Sequence, residues 1–382
     1  MENKGLPLFE KPFRQRVQEC WEMFAKKEHE LRRLIDRKED SDRIRDKLNE
    51  FLSLAFDVVY AEVGFNGEKY DLILNLEGDW SRLFSLSYFK RHASNEVLKC
   101  WNILVGRQSN EKAVEKYRIE MQGNSACAED VRVWSVWRDG RAELSVYCEN
   151  LVPLLAGRIQ EAYSILYILL DQAIGELAEM RYIADLKILD APQAAKPMKL
   201  NELMQDFMEH LELTREELLD ENRYLDTYSA YRMQPDENAD DGLRGDVIAG
   251  SSCFIPLLNE FWSAADQTED RREEIMDTFH ADGIAAGYLY YPLYEFEGEN
   301  RGAKILDFRD KIVEELERCT GTDSFMFIGG ANGIYFGYID FIAWDLKAVL
   351  DAAVSIFGKT EIEWAAFHSF RQEVKSVGIY QR

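Results

Sequence analysis

Cysteine is sparse and scattered in this chain of 382 residues, and that removes several chemistries. The six cysteines (Cys20, Cys100, Cys127, Cys148, Cys253 and Cys319) contain no C-x-x-C pair, so neither a zinc site nor a dithiol redox motif is written here. They are too thinly spread for a disulfide framework, and reduced thiols in a cytoplasmic protein are the expectation. Histidine is scarcer still. His29, His92, His210, His280 and His368 stand alone, with no H-x-H or H-E-x-x-H, and no G-x-S-x-G elbow occurs. Long apolar runs are also missing. The longest, Ile165–Leu170, falls far short of the roughly 20 residues that span a bilayer. Met1 to Arg16 lacks the apolar core of a signal peptide.

Positive charge is in deficit. Lys and Arg total 46 against 70 Asp and Glu, a formal charge of −24. A field of that sign repels phosphates and anionic lipid, so neither nucleic acid nor membrane is an expected partner, whereas a basic protein is. Solubility alone is the plainer reading of the same number.

What is present is ample core material. The chain is 46% hydrophobic and 12% aromatic, enough to exclude wholesale disorder, and its length suggests two domains. Residues 14–35 carry Val17, Trp21, Phe24, Leu31 and Ile35 at helical spacing, with Glu28 on the same stripe. A second helix follows Ser41 as cap. Strands are expected over 56–63 and 69–76 around Asn66-Gly67, and over 131–137 and 142–148 around Asp139-Gly140. Arg158–Ala173 is apolar nearly all round and reads as a buried helix stopped by Gly175. A strand over 180–189 closes this part.

The Pro-containing stretch 191–199 reads as a linker between domains 1–190 and 200–382. Residues 200–246 hold 14 Asp or Glu against four Arg and form an acidic helical lead-in, with Thr214-x-x-Glu217 as a capping box. Met233–Gly245 reads as a polar, mobile loop. Beyond it come a strand at 246–249, a helix at 253–262, a strand at 285–292 and a helix at 305–319. A hairpin (325–328, 334–341), an Asp345-capped helix (346–357) and a strand (362–370) close the chain. The pattern is α+β: two domains, each a mainly antiparallel sheet with helices on one face. Both halves end in the order hairpin, helix, strand, and internal duplication is one reading of that order.

Few residues suggest chemistry. Gly250-Ser251-Ser252-Cys253 sits where a strand turns into a helix, a place that lowers a thiol pKa. Cys253 is thus the candidate nucleophile, with His280 or His368 as its base, against Ser251 or Ser252 as a plain helix cap. Gly329, Gly330, Asn332 and Gly333 form the most glycine-rich stretch, a ligand loop or, because a strand follows, a hairpin turn. Asp340 and Asp345 are a candidate acid–base pair, though Asp345 already serves as a cap. Asp236, Asp240, Asp241 and Asp246 lack the spacing of a calcium loop. No metal site and no cofactor is expected.

Several segments taken in order carry a resemblance: Trp21-x-x-Phe24 followed by Glu28-x-x-Leu31, the Asp71–Leu76 strand, Cys100–Gln108 with Trp101 and Arg107, Asp130-Val131, and Leu169-Leu-Asp-Gln-Ala-Ile-Gly-Glu176. Over residues 14–190 the chain resembles a family of uncharacterised bacterial proteins. That family has no assigned activity, so the resemblance implies no catalytic residue. The first expectation is a non-enzymatic interaction module, an immunity-like inhibitor or a regulator of a basic partner. The alternative is an enzyme or small-ligand sensor with its site in the C-terminal domain, lined by Cys253, His280, Asp340 or the Gly329–Gly333 stretch. A third is an adaptor that grips its partner with the Trp21/Phe24 helix. Oligomeric state is not legible.

Overall fold

In a computed structural model, the structure describes residues 9–110, 114, 116–121, 123–264 and 274–382. Part of the leader expectation, Met1–Leu8, falls outside them. The fold is α+β, and the chain divides into two compact units whose boundaries differ from those expected. One consists of Arg32–Glu39 with Val59–Arg223; the other of Met1–Leu31, Asp40–Val58 and Tyr224–Arg382. The break near residue 190 is therefore corrected. Residues 191–199 stay inside the first of these units, because Met198–Lys199 is itself a strand and the Ala195 carbonyl accepts a bond from Trp134 Nε1 at 2.8 Å. Proline and alanine there mark a bend within a unit rather than a joint between units.

Among the described residues the Val59–Arg223 unit has nine strands: β1 (Tyr60–Phe65), β2 (Tyr70–Asn75), β3 (Trp101–Val105), β4 (Arg118–Met121), β5 (Asn124–Cys127), β6 (Arg132–Arg138), β7 (Arg141–Tyr147), β8 (Ile183–Ile188) and β9 (Met198–Lys199). They form sheets ordered β1-β2-β3, β4-β5 and β8-β7-β6-β9. Most pairs are antiparallel. β2–β3 and β7–β8 are parallel, each joined through a helix, Arg82–Arg91 and Ile159–Ile174. A parallel pair requires such a crossover. The tight β6–β7 turn works because Asp139 (φ 50°) and Gly140 (φ 72°) both enter the left-handed region. Leu144, Val146, Ile165, Leu169 and Phe207 lie in one core, so the 200–211 helix belongs here rather than to a C-terminal domain.

The other unit centres on β10 (Ser229–Arg232), β11 (Val247–Ser252), β12 (Ala285–Pro292), β13 (Phe325–Gly333), β14 (Phe336–Ala343), β15 (Trp364–Ser369) and β16 (Val377–Gln381). They make one sheet, β10-β11-β13-β14-β12-β15-β16, antiparallel throughout. Every residue of β14 is buried, which requires both faces to be covered. Leu289, Tyr291, Ile339 and Phe341 share a core with Ile312, Leu316, Val349 and Ala353 of the helices Arg301–Thr320 and Leu346–Phe357. Tyr288, on the opposite face, meets Phe261 of helix Ile255–Ala264 at 5.8 Å. Helices on one face only is thus corrected for this sheet.

The N-terminal helix Phe13–Asp36 buries Trp21 and Phe24, whose rings meet edge to face at 5.5 Å, while Phe24 meets Phe51 at 5.3 Å. Two rings committed to the core cannot grip a partner, so the adaptor reading is corrected as well. Asp40, not Ser41, caps the second helix through a bond from the Asp42 amide. The shared order hairpin, helix, strand does recur, but it leads to different sheets. β8 lies beside β7, whereas β12 stands between β14 and β15.

Candidate functional site

The expected nucleophile is not activated. Cys253 follows β11, half-buried, with its amide bonded to the Ile328 carbonyl at 2.9 Å. Burial pushes its thiol up to about 12, the reverse of what a helix N-terminus does to a nucleophilic cysteine. Ser252 Oγ accepts the Phe254 amide at 2.9 Å, a turn contact just before helix Ile255–Ala264 rather than a cap on it. Neither proposed base reaches the thiol among the described residues. His280 is exposed at the end of helix Glu274–Ala281, and buried His368 faces the Ser369 and Val374 carbonyls.

The glycine-rich stretch is not a loop. Gly329, Gly330, Asn332 and Gly333 lie in β13, between β11 and β14, and the turn follows directly at Ile334-Tyr335. The reason is steric. A methyl at Gly329 would overlap the Ser251 carbonyl, and one at Gly333 would overlap the Asp246 carboxylate. These glycines admit neighbouring groups into the sheet; they do not cradle a phosphate.

Asp340 does lie in a polar cluster, one built around Arg244, which sequence reasoning passed over. Arg244, from the segment Met233–Gly245, extends its guanidinium to the sheet and pairs with both Asp340 oxygens, Nη2 lying 3.2 Å from Oδ2. It also donates to Tyr231 Oη at 2.9 Å and lies 5.0, 4.8 and 5.7 Å from the ring centres of Tyr288, Tyr338 and Phe370. Both members of the ion pair are wholly buried. Burial pushes the Asp340 carboxyl up and Arg244 opposes it; burial likewise pulls Arg244 down, but Asp340, Tyr231 and Tyr288 together hold the guanidinium above its usual range, so it stays protonated. Beside them Asp246, also buried, accepts the Tyr335 and Phe336 amides at 2.8 and 3.1 Å and the Tyr338 hydroxyl. Tyr288 Oη donates to the Gly242 carbonyl at 3.0 Å. The Met233–Gly245 segment expected to be a mobile loop is therefore tied to the sheet through Arg244 and Gly242, and Asp246, just beyond it, is held as well. Chemically this is a sealed network that holds a segment in position, with Arg244 Nε its one nitrogen that makes no hydrogen bond. Asp345, as expected, caps the next helix through the Ala348 amide.

A second polar cluster occupies the Val59–Arg223 unit and joins segments far apart in sequence. Arg107 pairs with Glu62 at 2.9 Å, with Asp171 at 3.2 Å and with Glu77. Buried Glu176 accepts the amides of Leu76, Glu77 and Arg107 at 3.2, 2.7 and 3.0 Å. Arg107, Asp171 and Glu176, which lie in two of the segments that carried the family resemblance, thus meet in one network. Burial lifts Asp171 well above the carboxylate range, helped by Glu176 and Glu179 and opposed by Arg107. Burial and Glu176 likewise push Glu179 from 4.5 up to about 7.

A testable consequence follows for Glu179. Its folded pKa is raised, so the folded chain holds this proton more tightly than the unfolded one. Stability falls as pH rises from near 4.5 through about 7. Glu179→Gln is expected to raise the Tm by about 2–4 °C at pH 8 and to leave it unchanged at pH 4. Thermal scans at both pH values check this, and an equal shift at both would show that charge is not the cause.

Among the described residues no three His, Cys, Asp or Glu side chains are placed to hold a metal ion. None of their helices is long and apolar enough to cross a membrane. No family model, curated protein or solved structure matches the chain.

Proposed function

We propose that this protein acts by binding a basic protein partner, in the manner of an immunity-type inhibitor or a regulator, rather than through chemistry of its own. The observation that carries the reading is the charge of −24 and where it sits. Of the 70 acidic residues, only Asp171, Glu176, Glu221, Asp246, Asp282 and Asp340 are buried among the described residues. The surplus is therefore displayed to solvent, where it steers cationic surfaces and speeds their docking. The groups that sequence patterns put forward for catalysis support the same reading. Asp340 is held by Arg244, His368 by two carbonyls, and Cys253 is a thiol of raised pKa.

Screening supplies the test. Affinity capture on the full chain, at about 0.05 M and about 0.5 M salt, changes long-range steering strongly while leaving apolar contacts in place. One basic protein enriched at low salt and released at high salt is the expected result. Partners retained equally at both, or none at either, would overturn the reading.

A further inference from the structure

Helix Arg301–Thr320 turns one stripe of residues toward the segment that ends helix Leu346–Phe357, and a cleft of about 650 Å³ lies between them. Its inner surface is apolar. Ile312, Ile356 and Ile362 are almost fully buried, and Phe308 and Phe296, rings 5.3 Å apart, complete the lining. Volume and lining both fall in the range of small-molecule sites.

The mouth has a different character. Down the helix wall Lys304, Asp307, Lys311 and Glu315 alternate in sign at spacings of three and four residues. Across from them stand Lys359 and Glu361. Glu315 is also paired with Arg318 at 2.6 Å, and Glu295 at one end accepts the Glu363 amide at 2.7 Å. The mouth therefore offers no net field to favour an ion of either sign, and the chain's overall negative charge disfavours anions. Thr360, the one hydroxyl in the lining, donates to the Phe357 carbonyl at 2.8 Å.

We infer that this cleft is a binding site for an uncharged, largely apolar small molecule, selected by shape and apolar contact. The inference is independent of the basic partner proposed above. It revives a ligand role for the C-terminal part of the chain, at a place that no motif marked.

The test uses the full chain and two dyes of similar aromatic size, neutral N-phenyl-1-naphthylamine and anionic 1-anilinonaphthalene-8-sulfonate. The neutral dye is expected to bind saturably at one site, and the anionic dye about tenfold or more weakly. Thr360→Trp fills the cleft, and Lys311→Trp, at an exposed helix position, covers its mouth without touching the core. Each is expected to weaken the neutral dye by about tenfold with the Tm of Lys311→Trp unchanged. Three results overturn the inference: no saturable binding of the neutral dye, affinity unaltered in Lys311→Trp, or the anionic dye binding as tightly as the neutral one.

Discussion

Asp340→Ala is expected to destabilise the unit that contains it by about 3–5 kcal/mol, because it strands Arg244 as a buried, unpaired cation. The pair is wholly enclosed, so water cannot enter to solvate the guanidinium left behind. Tyr231 and the rings of Tyr288, Tyr338 and Phe370 remain as partners, but none carries a negative charge. The expected fall in Tm is about 6–20 °C. Asp340→Asn keeps an acceptor for one guanidinium nitrogen and is expected to fall between wild type and Asp340→Ala. Replacing both partners, Arg244→Met with Asp340→Leu, removes the charge problem and is expected to recover most of the loss. Thermal unfolding of the four proteins checks the sequence of effects. A double variant no more stable than Asp340→Ala would show that the network contributes through shape rather than charge.

Gly333→Ala carries the second large effect, although it adds a single methyl. That methyl would overlap the Asp246 carboxylate. Asp246 cannot simply swing away, because its oxygens hold the Tyr335 and Phe336 amides and the Tyr338 hydroxyl, and its carbonyl accepts the Ile334 amide at 3.0 Å. Displacing it leaves buried donors unmet and a buried carboxylate unsolvated, a loss of about 3 kcal/mol or more. Asp246→Ala loses the same bonds directly. If the clash is the cause, the two changes are not additive: Gly333→Ala in the Asp246→Ala background is expected to cost less than about 1 kcal/mol. Full additivity in that cycle would refute the steric account.

The extent to which the sequence foretold this molecule varies from one element to the next. Ala285–Pro292 and Leu346–Phe357 form where periodicity and the Asp345 cap placed them. The Asp139-Gly140 turn and the Thr214–Glu217 capping box did likewise. These features are local: the residues that cause them lie within a few positions of one another. The glycine-rich stretch was misread because Gly329 and Gly333 answer to Ser251 and Asp246, some eighty residues earlier, and a run of glycines looks the same in a turn and in a crowded strand. Arg244 was passed over because an arginine in an acidic, Gly- and Asp-rich segment reads as solvated, and nothing nearby announces a carboxylate 96 positions away.

By itself the sequence determined the α+β class, the helices and strands with strong local periodicity, their caps and turns, and the charge on which the proposed function rests. The tertiary structure decided the rest. It drew most of the first 58 residues into one unit with the C-terminal part, and it covered both faces of the seven-stranded sheet. It also raised the Cys253 thiol, joined Arg107 to Asp171 and opened the cleft beside Phe308. The physical reason is range. Capping, turn geometry and hydrophobic periodicity act over a few residues, whereas burial, ion pairing and cavities depend on chain segments that meet only when the whole fold closes.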